Sequence, residues 1–504
     1  MCLVPSSTAM PQVFKKFGTY LVQPQFELEK ERSIELPTLP TEILVKILEQ
    51  LDWDDVLRIR QCSRALANAT HARSIWVTML EHYTQTWFPR PFWLSKPLAA
   101  CSSSDVERVI TRWCASAAEF APDTVQRSYV DIPSLEDESD AESTTVPLKP
   151  LPGSRFFLTA TANGTIWCHD SQSHGRSPEA LFDTPFESSY TRARAEINYD
   201  CLSMLGPGEL APKTFNAAII WTRGEVTAND IVEVWEVEPR MTDEGIQGYS
   251  SRRLASFIGD SSTGHLGSPS LYGSHVAYVN YRTSTVITDW TALPAADPGP
   301  GKAQPSRGFT STHLGFGHKN YVLLPGERIL VVLSSGIHVY DWSNCTRSTL
   351  PASSVTPAYC PRIWSHEWHT RVLNDFVSVT PFLVNDTLRL VIPAPLGIVG
   401  VILPSHAAKF DPAAHTIQSV LLYQGHMRNG GLSFYGYHKG ISATQREARI
   451  IQYSWPDEHN APPAATVSLP GDHYEDGEVI QFNEYVNHIV TFDTYQEVYT
   501  VFVP

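Results

Sequence analysis

The chain has 504 residues and 42% hydrophobic content, too long for one ordinary core and apolar enough to fold over most of its length, which predicts two or three domains. A formal net charge of −15 repels phosphate backbones and no local basic patch offsets it, so nucleic acid is excluded as a general partner. The eight cysteines are scattered with no CxxC pair, which excludes a zinc or redox motif of that kind, and no apolar run has signal-peptide or membrane-span character, which predicts a cytosolic or nuclear protein without a membrane partner.

Residues 1–35 show no sustained periodicity and are expected to form a flexible lead-in. From Leu36 the pattern changes. In LPTEILVKILEQL, Pro40 suits a helix start, Glu42 lies in the first turn, and Ile43, Leu44, Ile47, Leu48 and Leu51 repeat at helical spacing. Asp52 is placed to cap a second helix carrying Val56, Leu57 and Ile59, with Asp54 and Asp55 in its first turn. After Cys62 and Ser63 a third segment carries Leu66 and Ala69, and Ile75, Trp76, Met79 and Leu80 continue the apolar pattern. A further helix is predicted from Ser104, with Glu107 completing a capping box and Val106, Val109, Ile110 and Trp113 sharing one face. It reads as a helical connector over 83–130.

Residues 131–149 are rich in Asp, Glu, Ser and Thr without Lys or Arg until Lys149, which predicts a solvated acidic linker and a domain boundary. Ser134 and Ser139 each precede an acidic residue by three positions, the pattern acidophilic kinases use. Beyond Pro150 the chain turns to β. Short runs rich in Val, Ile, Tyr, Phe and Trp come in pairs: 155–161 with 165–169, 215–222 with 231–237, 275–281 with 284–290, and 328–334 with 336–342. Three more pairs follow, 388–394 with 397–403, 432–438 with 448–455, and 487–493 with 496–502. Turns such as Asn163-Gly164 and Ser335-Gly336 join several of them. The second runs resemble one another, as in Val234-Trp235-Glu236-Val237, Val339-Tyr340-Asp341-Trp342 and Gln452-Tyr453-Ser454-Trp455. Seven repeated hairpins predict a seven-bladed β-propeller over 150–504, so the expected class is α+β multidomain; a sandwich or irregular barrel is the other architecture this pattern allows.

The stretch 36–82 carries an ordered set of residues: Leu39-Pro40, Glu42-Ile43-Leu44, Ile47-Leu48, Leu51-Asp52, Asp55-Val56-Leu57, Cys62-Ser63-Arg64 and Trp76. It resembles an F-box, with Cys62 where Val is more usual, a small change of buried volume. The chain as a whole resembles fungal F-box proteins with a WD-repeat-like C-terminal part. The resemblance implies a three-helix motif that binds the Skp-type adaptor of a cullin-RING (SCF-type) ubiquitin ligase, while the β domain binds a protein substrate for degradation. Carried over by family pattern, Leu39, Pro40, Ile43, Leu44, Ile47 and Leu48 are adaptor contacts and Val56, Leu57, Leu66 and Trp76 are the motif's own core. Helical spacing alone leaves open which buried face is which.

No catalytic signature is present. His366-Glu367-Trp368-His369 is one residue short of HExxH, and on a strand its two histidines fall on opposite faces. Gly299-Pro300-Gly301-Lys302 lacks the Ser or Thr of a phosphate loop, and Gly430-Gly431 is too little for kelch repeats. No catalytic residue, cofactor or metal is therefore expected, and the chain is read as a receptor and not an enzyme. The alternatives are a non-degradative scaffold and a propeller enzyme or ligand-binding protein that carries an F-box.

Overall fold

In the computed structural model the chain divides into two compact units, Met1–Thr70 and His71–Pro504. The structure describes residues 36–115 and, between 126 and 503, the strands and most of the turns joining them; 1–35, 116–125, 132–145, 293–310, 369–378, 406–415 and shorter loop stretches fall outside that description. The expected lead-in, Ser134, Ser139, Asn163, the Gly299–Lys302 loop, His369 and Gly430-Gly431 all lie outside the described residues.

In the first unit, α1 (Thr41–Leu48) begins after Pro40, whose φ of −52° is already near helical and whose missing N–H would have had no partner at a helix start. α2 (Trp53–Arg60) follows Asp52, which stands at the cap position but makes no side-chain capping bond, contrary to expectation. The first-turn acids act instead through Arg58, which reaches back to both Asp54 and Asp55 at 3.1 Å. α3 (Arg64–Thr70) is capped by Ser63, whose Oγ accepts the Leu66 N–H at 3.3 Å, and it packs against both α1 and α2. Cys62 is exposed, so its replacing a Val changes no buried volume.

The second unit starts with two helices. α4 (Arg73–Thr86) buries Ile75, Trp76, Met79, Leu80 and Tyr83, so four helices stand where a three-helix motif was expected, and α5 (Ser103–Ala115) buries Val106, Ile110 and Trp113. The capping box is set two residues earlier than predicted: Ser102 Oγ accepts the Asp105 N–H at 3.2 Å, and Asp105 accepts the Ser102 N–H at 3.0 Å. Those two donors from Ser102, backbone first and hydroxyl second, hold the Asp105 carboxyl below its ordinary value. Tyr83, Phe88, Phe92 and Trp113 form a chain of ring contacts, and Arg90 exchanges both backbone hydrogen bonds with Leu383 at 2.8 Å. Trp113 also stacks on Tyr437 with an interplanar angle of 24°. The expected connector is thus part of the β unit's own packing.

The described strands form seven antiparallel sheets. The strand β1 (Gln126–Asp131) belongs to the last of them. The first full sheet is β2 (Val146–Pro147), β3 (Phe156–Ala160), β4 (Ile166–Asp170) and β5 (Glu179–Phe182). The second is β6 (Arg194–Asp200), β7 (Phe215–Thr222), β8 (Ile231–Thr242) and β9 (Gly245–Ile258). The third is β10 (Ser270–Tyr272), β11 (His275–Asn280), β12 (Ser284–Asp289) and β13 (Ser311–Leu314), and the fourth β14 (Tyr321–Leu324), β15 (Arg328–Leu333), β16 (Gly336–Asp341) and β18 (Arg362–Glu367); the two-residue β17 (Arg347–Ser348) leaves the fourth stretch to edge the third sheet. The fifth is β19 (Pro381–Val384), β20 (Thr387–Ala394), β21 (Gly397–Pro404) and β22 (Gln418–Gln424), and the sixth β23 (Ser433–Tyr435), β24 (Lys439–Thr444), β25 (Glu447–Gln452) and β26 (Ala465–Leu469). The remaining sheet is composite: β27 (Gly477–Asn483), β28 (His488–Asp493) and β29 (Val498–Val503) are completed by β1.

The seven blades expected from the hairpins are corrected to six built in chain order, with a composite sheet in which β29 pairs along its whole length with β1, Gln126 opposite Val503. Two strands, β1 and β2, therefore lie before the boundary expected at residue 150. Strand pairing misled on this point because β1 meets a partner that is distant in sequence, and such a strand carries no local hairpin signal.

Successive sheets stack face to face, which the alternation along β7 makes explicit. Ala217, Ile219 and Trp221 pack with Phe182 and Trp235 in one cluster, while Ala218 and Ile220 pack with Phe257 and Tyr278 in the next. In β15, Leu330 and Val332 face the cluster shared with Leu390 and Val401, and Ile329 and Val331 face the one shared with Ala277 and Leu323. Strand β10 adjoins both β6 and β14, and β23 adjoins both β20 and β27. Sheets covered on both faces and arranged radially are a β-propeller. The repeated tryptophan has a structural role: the Trp290 indole donates to Gly273 O and that of Trp455 to Tyr437 O, each at 3.1 Å, latching the end of a third strand to the turn between the first two.

Candidate adaptor-binding surface

A helix of eight residues turns about 100° per residue, so the adjacent pairs 43/44 and 47/48 present two neighbouring stripes. On α1 the stripe of Leu44 and Leu48 is buried, 3% and 2% exposed, and the stripe of Ile43 and Ile47 is open, 49% and 38% exposed. Leu36, one turn of chain earlier, is exposed as well. Pro40 is exposed and Leu39 half-buried. The polar neighbours stand aside: Lys46 Nζ binds Glu49 Oε2 at 2.7 Å, and Glu42 lies in the first turn, where the helix dipole favours it. The result is a small apolar patch on a short helix, edged by charges.

The six residues carried over as adaptor contacts therefore divide. Leu39, Pro40, Ile43 and Ile47 offer surface; Leu44 and Leu48 offer almost none. Of the four assigned to the motif's core, Val56, Leu66 and Trp76 are buried and Leu57 is half-buried, with Trp76 falling in the second compact unit. Leu36 was missed; its signal was an apolar residue directly before Pro37.

Several buried or half-buried ionisable groups on the propeller are held by their neighbours. Glu233 accepts from both the Trp221 and Trp235 indoles at 3.0 Å and meets Arg253 at 3.3 Å; burial raises its pKa against the pull of Arg253. Arg389 holds Asp457 through both terminal nitrogens and lies over the Trp455 ring at 5.1 Å. His169 stacks on Phe157 at 4.9 Å, shares a hydrogen bond with Thr159, and burial lowers its pKa to about 4. His366 lies on β18, bonded to Ser419 and flanked by Trp364 and Trp368. Among the described residues no group of three or more His, Cys, Asp or Glu could hold a metal ion, and no helix is long and apolar enough to cross a membrane.

Residues 36–82 match the F-box-like family model. No curated protein matches the chain. Among solved structures, the β-propeller domain of Cps50 (Swd1) from Myceliophteria thermophila is 12% identical, with 73% of this chain and 98% of that one covered and a TM-score of 0.39. The computationally designed Ika8 protein is 11% identical, with coverages of 72% and 98% and a TM-score of 0.35. At such values the fold rests on the strand order itself, which is that of a WD-repeat-like propeller. The chain carries an F-box-like region followed by a β-propeller.

Proposed function

We propose that this chain is the substrate-recognition subunit of an SCF-type cullin-RING ubiquitin ligase, working in the cytosol or nucleus and performing no chemistry of its own. F-box domains generally bind Skp-type adaptors, and the observation that carries the reading is the open Ile43–Ile47 stripe within the F-box-like match. Two branched apolar side chains held in water on a rigid helix gain free energy when a partner covers them, and a helical region this small has little core with which to cover them itself. Adaptor contact is assigned to Ile43, Ile47, Leu39 and Pro40. The propeller would hold a protein substrate near the ubiquitin-loaded enzyme, so that binding alone raises the effective concentration of its lysines.

The test is adaptor capture by the full chain carrying Ile43→Asp and Ile47→Asp. Each is already exposed, so folding is expected to shift by no more than about 0.5 kcal/mol. At an interface centre each truncated hot spot costs ~2–4 kcal/mol and every 1.4 kcal/mol is about tenfold, so the pair should remove capture altogether. Undiminished capture by a folded double variant would defeat the assignment.

A further inference from the structure

The second sheet differs from its neighbours in one way. β8 and β9 run past the end of β7, whose pairing with β8 stops at Phe215 opposite Val237, while β8 continues with β9 alone to Thr242 opposite Gly245. The chain that precedes β7 does not extend the sheet. It veers through Pro212 to the aromatic connector, where Leu210 O accepts the Phe92 N–H at 2.6 Å. The tip of the β8–β9 arm meets the same connector farther along: Gly245, at φ +125°, presses on Ser95, whose carbonyl oxygen would lie 2.4 Å from any Cβ placed there.

A cleft of about 920 Å³ opens between arm, connector and α4, with Leu80, Phe92, Leu94, Leu210, Pro212 and Met241 among its lining. It lies wholly within the second compact unit. One wall is an open strand edge. Among the described residues the backbone of Glu238–Met241 is bonded only to β9 and to the Ser250 hydroxyl on it, and Pro239 is tolerated there because an edge has no ladder bond to lose on its free side. The volume is that of a ligand pocket, and an open edge beside such a pocket is the arrangement that receives extended peptides.

The charges at the mouth choose between peptides. Lys96 is matched by Asp105 at 3.3 Å and Arg240 by Glu179. That leaves the Glu81, Glu209 and Glu238 carboxylates against the Lys213 ammonium, none with an ion-pair partner among the described residues. A net negative rim around an apolar floor complements a cation next to an apolar side chain.

We propose that this cleft docks an extended segment of a partner protein that presents an apolar side chain beside Lys or Arg, the segment lying along the free edge of β8. This deepens the substrate-receptor reading, on which it rests, by giving the receptor a place and a chemistry of recognition.

The experiment measures binding of the full chain to arrays of short synthetic peptides in which a central Leu, Phe or Trp is flanked by Lys/Arg, by Asp/Glu or by Ser. Peptides with basic flanks should bind, weakening with salt. Met241→Asp should reduce that binding about tenfold or more, and the double variant Glu81→Lys with Glu238→Lys should transfer preference to the acidic-flank set. All three positions line the cleft at the surface, and unchanged thermal melting confirms that the variants fold. No binding by any set, preference for acidic or uncharged flanks by the unmodified chain, binding indifferent to the variants, or self-association of the chain lost in Met241→Asp would each overturn the proposal. Adaptor capture run in parallel separates the failures: peptides that fail while capture persists sink the cleft alone, and capture that fails while the cleft binds sinks the ligase reading.

Discussion

The α1–α3 unit and the propeller bury their side chains on different scales. The three helices together bury Leu44, Leu48, Val56, Leu66, Ala69 and Thr70, whereas β7 alone buries all eight of its residues because both faces are covered by neighbouring sheets. A region with so thin a core leaves apolar side chains such as Ile43 and Ile47 for something else to cover. A region stacked on both faces has spent its apolar surface on itself and must recognise partners with loops, rims and free edges. The first kind advertises its partner in the sequence. The second advertises its fold and is silent on its ligand.

The sharpest attempt to break this contrast is Trp455→Ala. The residue is 1% exposed, donates to Tyr437 O and carries the Arg389 guanidinium on its ring, so a loss of about 4 kcal/mol is expected in propeller unfolding while adaptor capture stays intact below the transition. Denaturation followed by tryptophan fluorescence, with capture measured in parallel, reads both. Leu48→Ala asks the converse. It should cost about 3 kcal/mol and strip hydrogen-exchange protection from 41–70, and, with so few buried residues to share the loss, capture should fall along with protection. Retained protection would mean that the helices rest on more than their visible core.

Acid provides a third probe. His169 has a folded pKa of about 4 against an unfolded value near 6.5, so it contributes stability that is complete above pH 6.5 and is lost as pH falls through about 4, about 3 kcal/mol in all. Asp200 and Glu233, both raised by burial, act with the opposite sign, which is why the comparison is with His169→Gln: the variant should lose less melting temperature between pH 7 and pH 4.5 than the unmodified chain. Equal losses would show that the imidazole is not the group that charges. The smallest effect is Trp290→Phe, which keeps the ring and deletes its bond to Gly273 O. A cost of about 1 kcal/mol, seen as a small shift in the urea midpoint, would make the latch an ordinary hydrogen bond and leave stability to the stacked faces.

Much of this organisation was legible, for reasons that also explain the misses. The 36–82 region could be read because its residues match a pattern in order, and the hairpins because each pairs with a neighbour across a short turn. Helical spacing found two stripes on α1 without saying which faces inward, so Leu44 and Leu48 were grouped with Ile43 and Ile47 though only the latter are open. Three consecutive serines, 102 to 104, blurred the start of α5, and only geometry singled out Ser102. The cleft beside β8 was invisible because its walls come from α4, the connector, residues 208–213 and the β8–β9 arm, stretches far apart in sequence and without a shared motif.

The composite sheet sets an order of events during synthesis. Residues 126–131 emerge long before their partner strand, 498–503, so until that strand is made the blades can form only an open arc with two unpaired margins. A nascent chain in that state displays backbone groups able to pair with any neighbouring strand, and the cell must shield it until the two margins meet. The same arithmetic governs laboratory fragments. A piece begun at residue 150 keeps six blades nearly whole but arrives without the strand that shuts the ring, and it should be prone to joining its own copies edge to edge, while one begun before residue 126 can close upon itself.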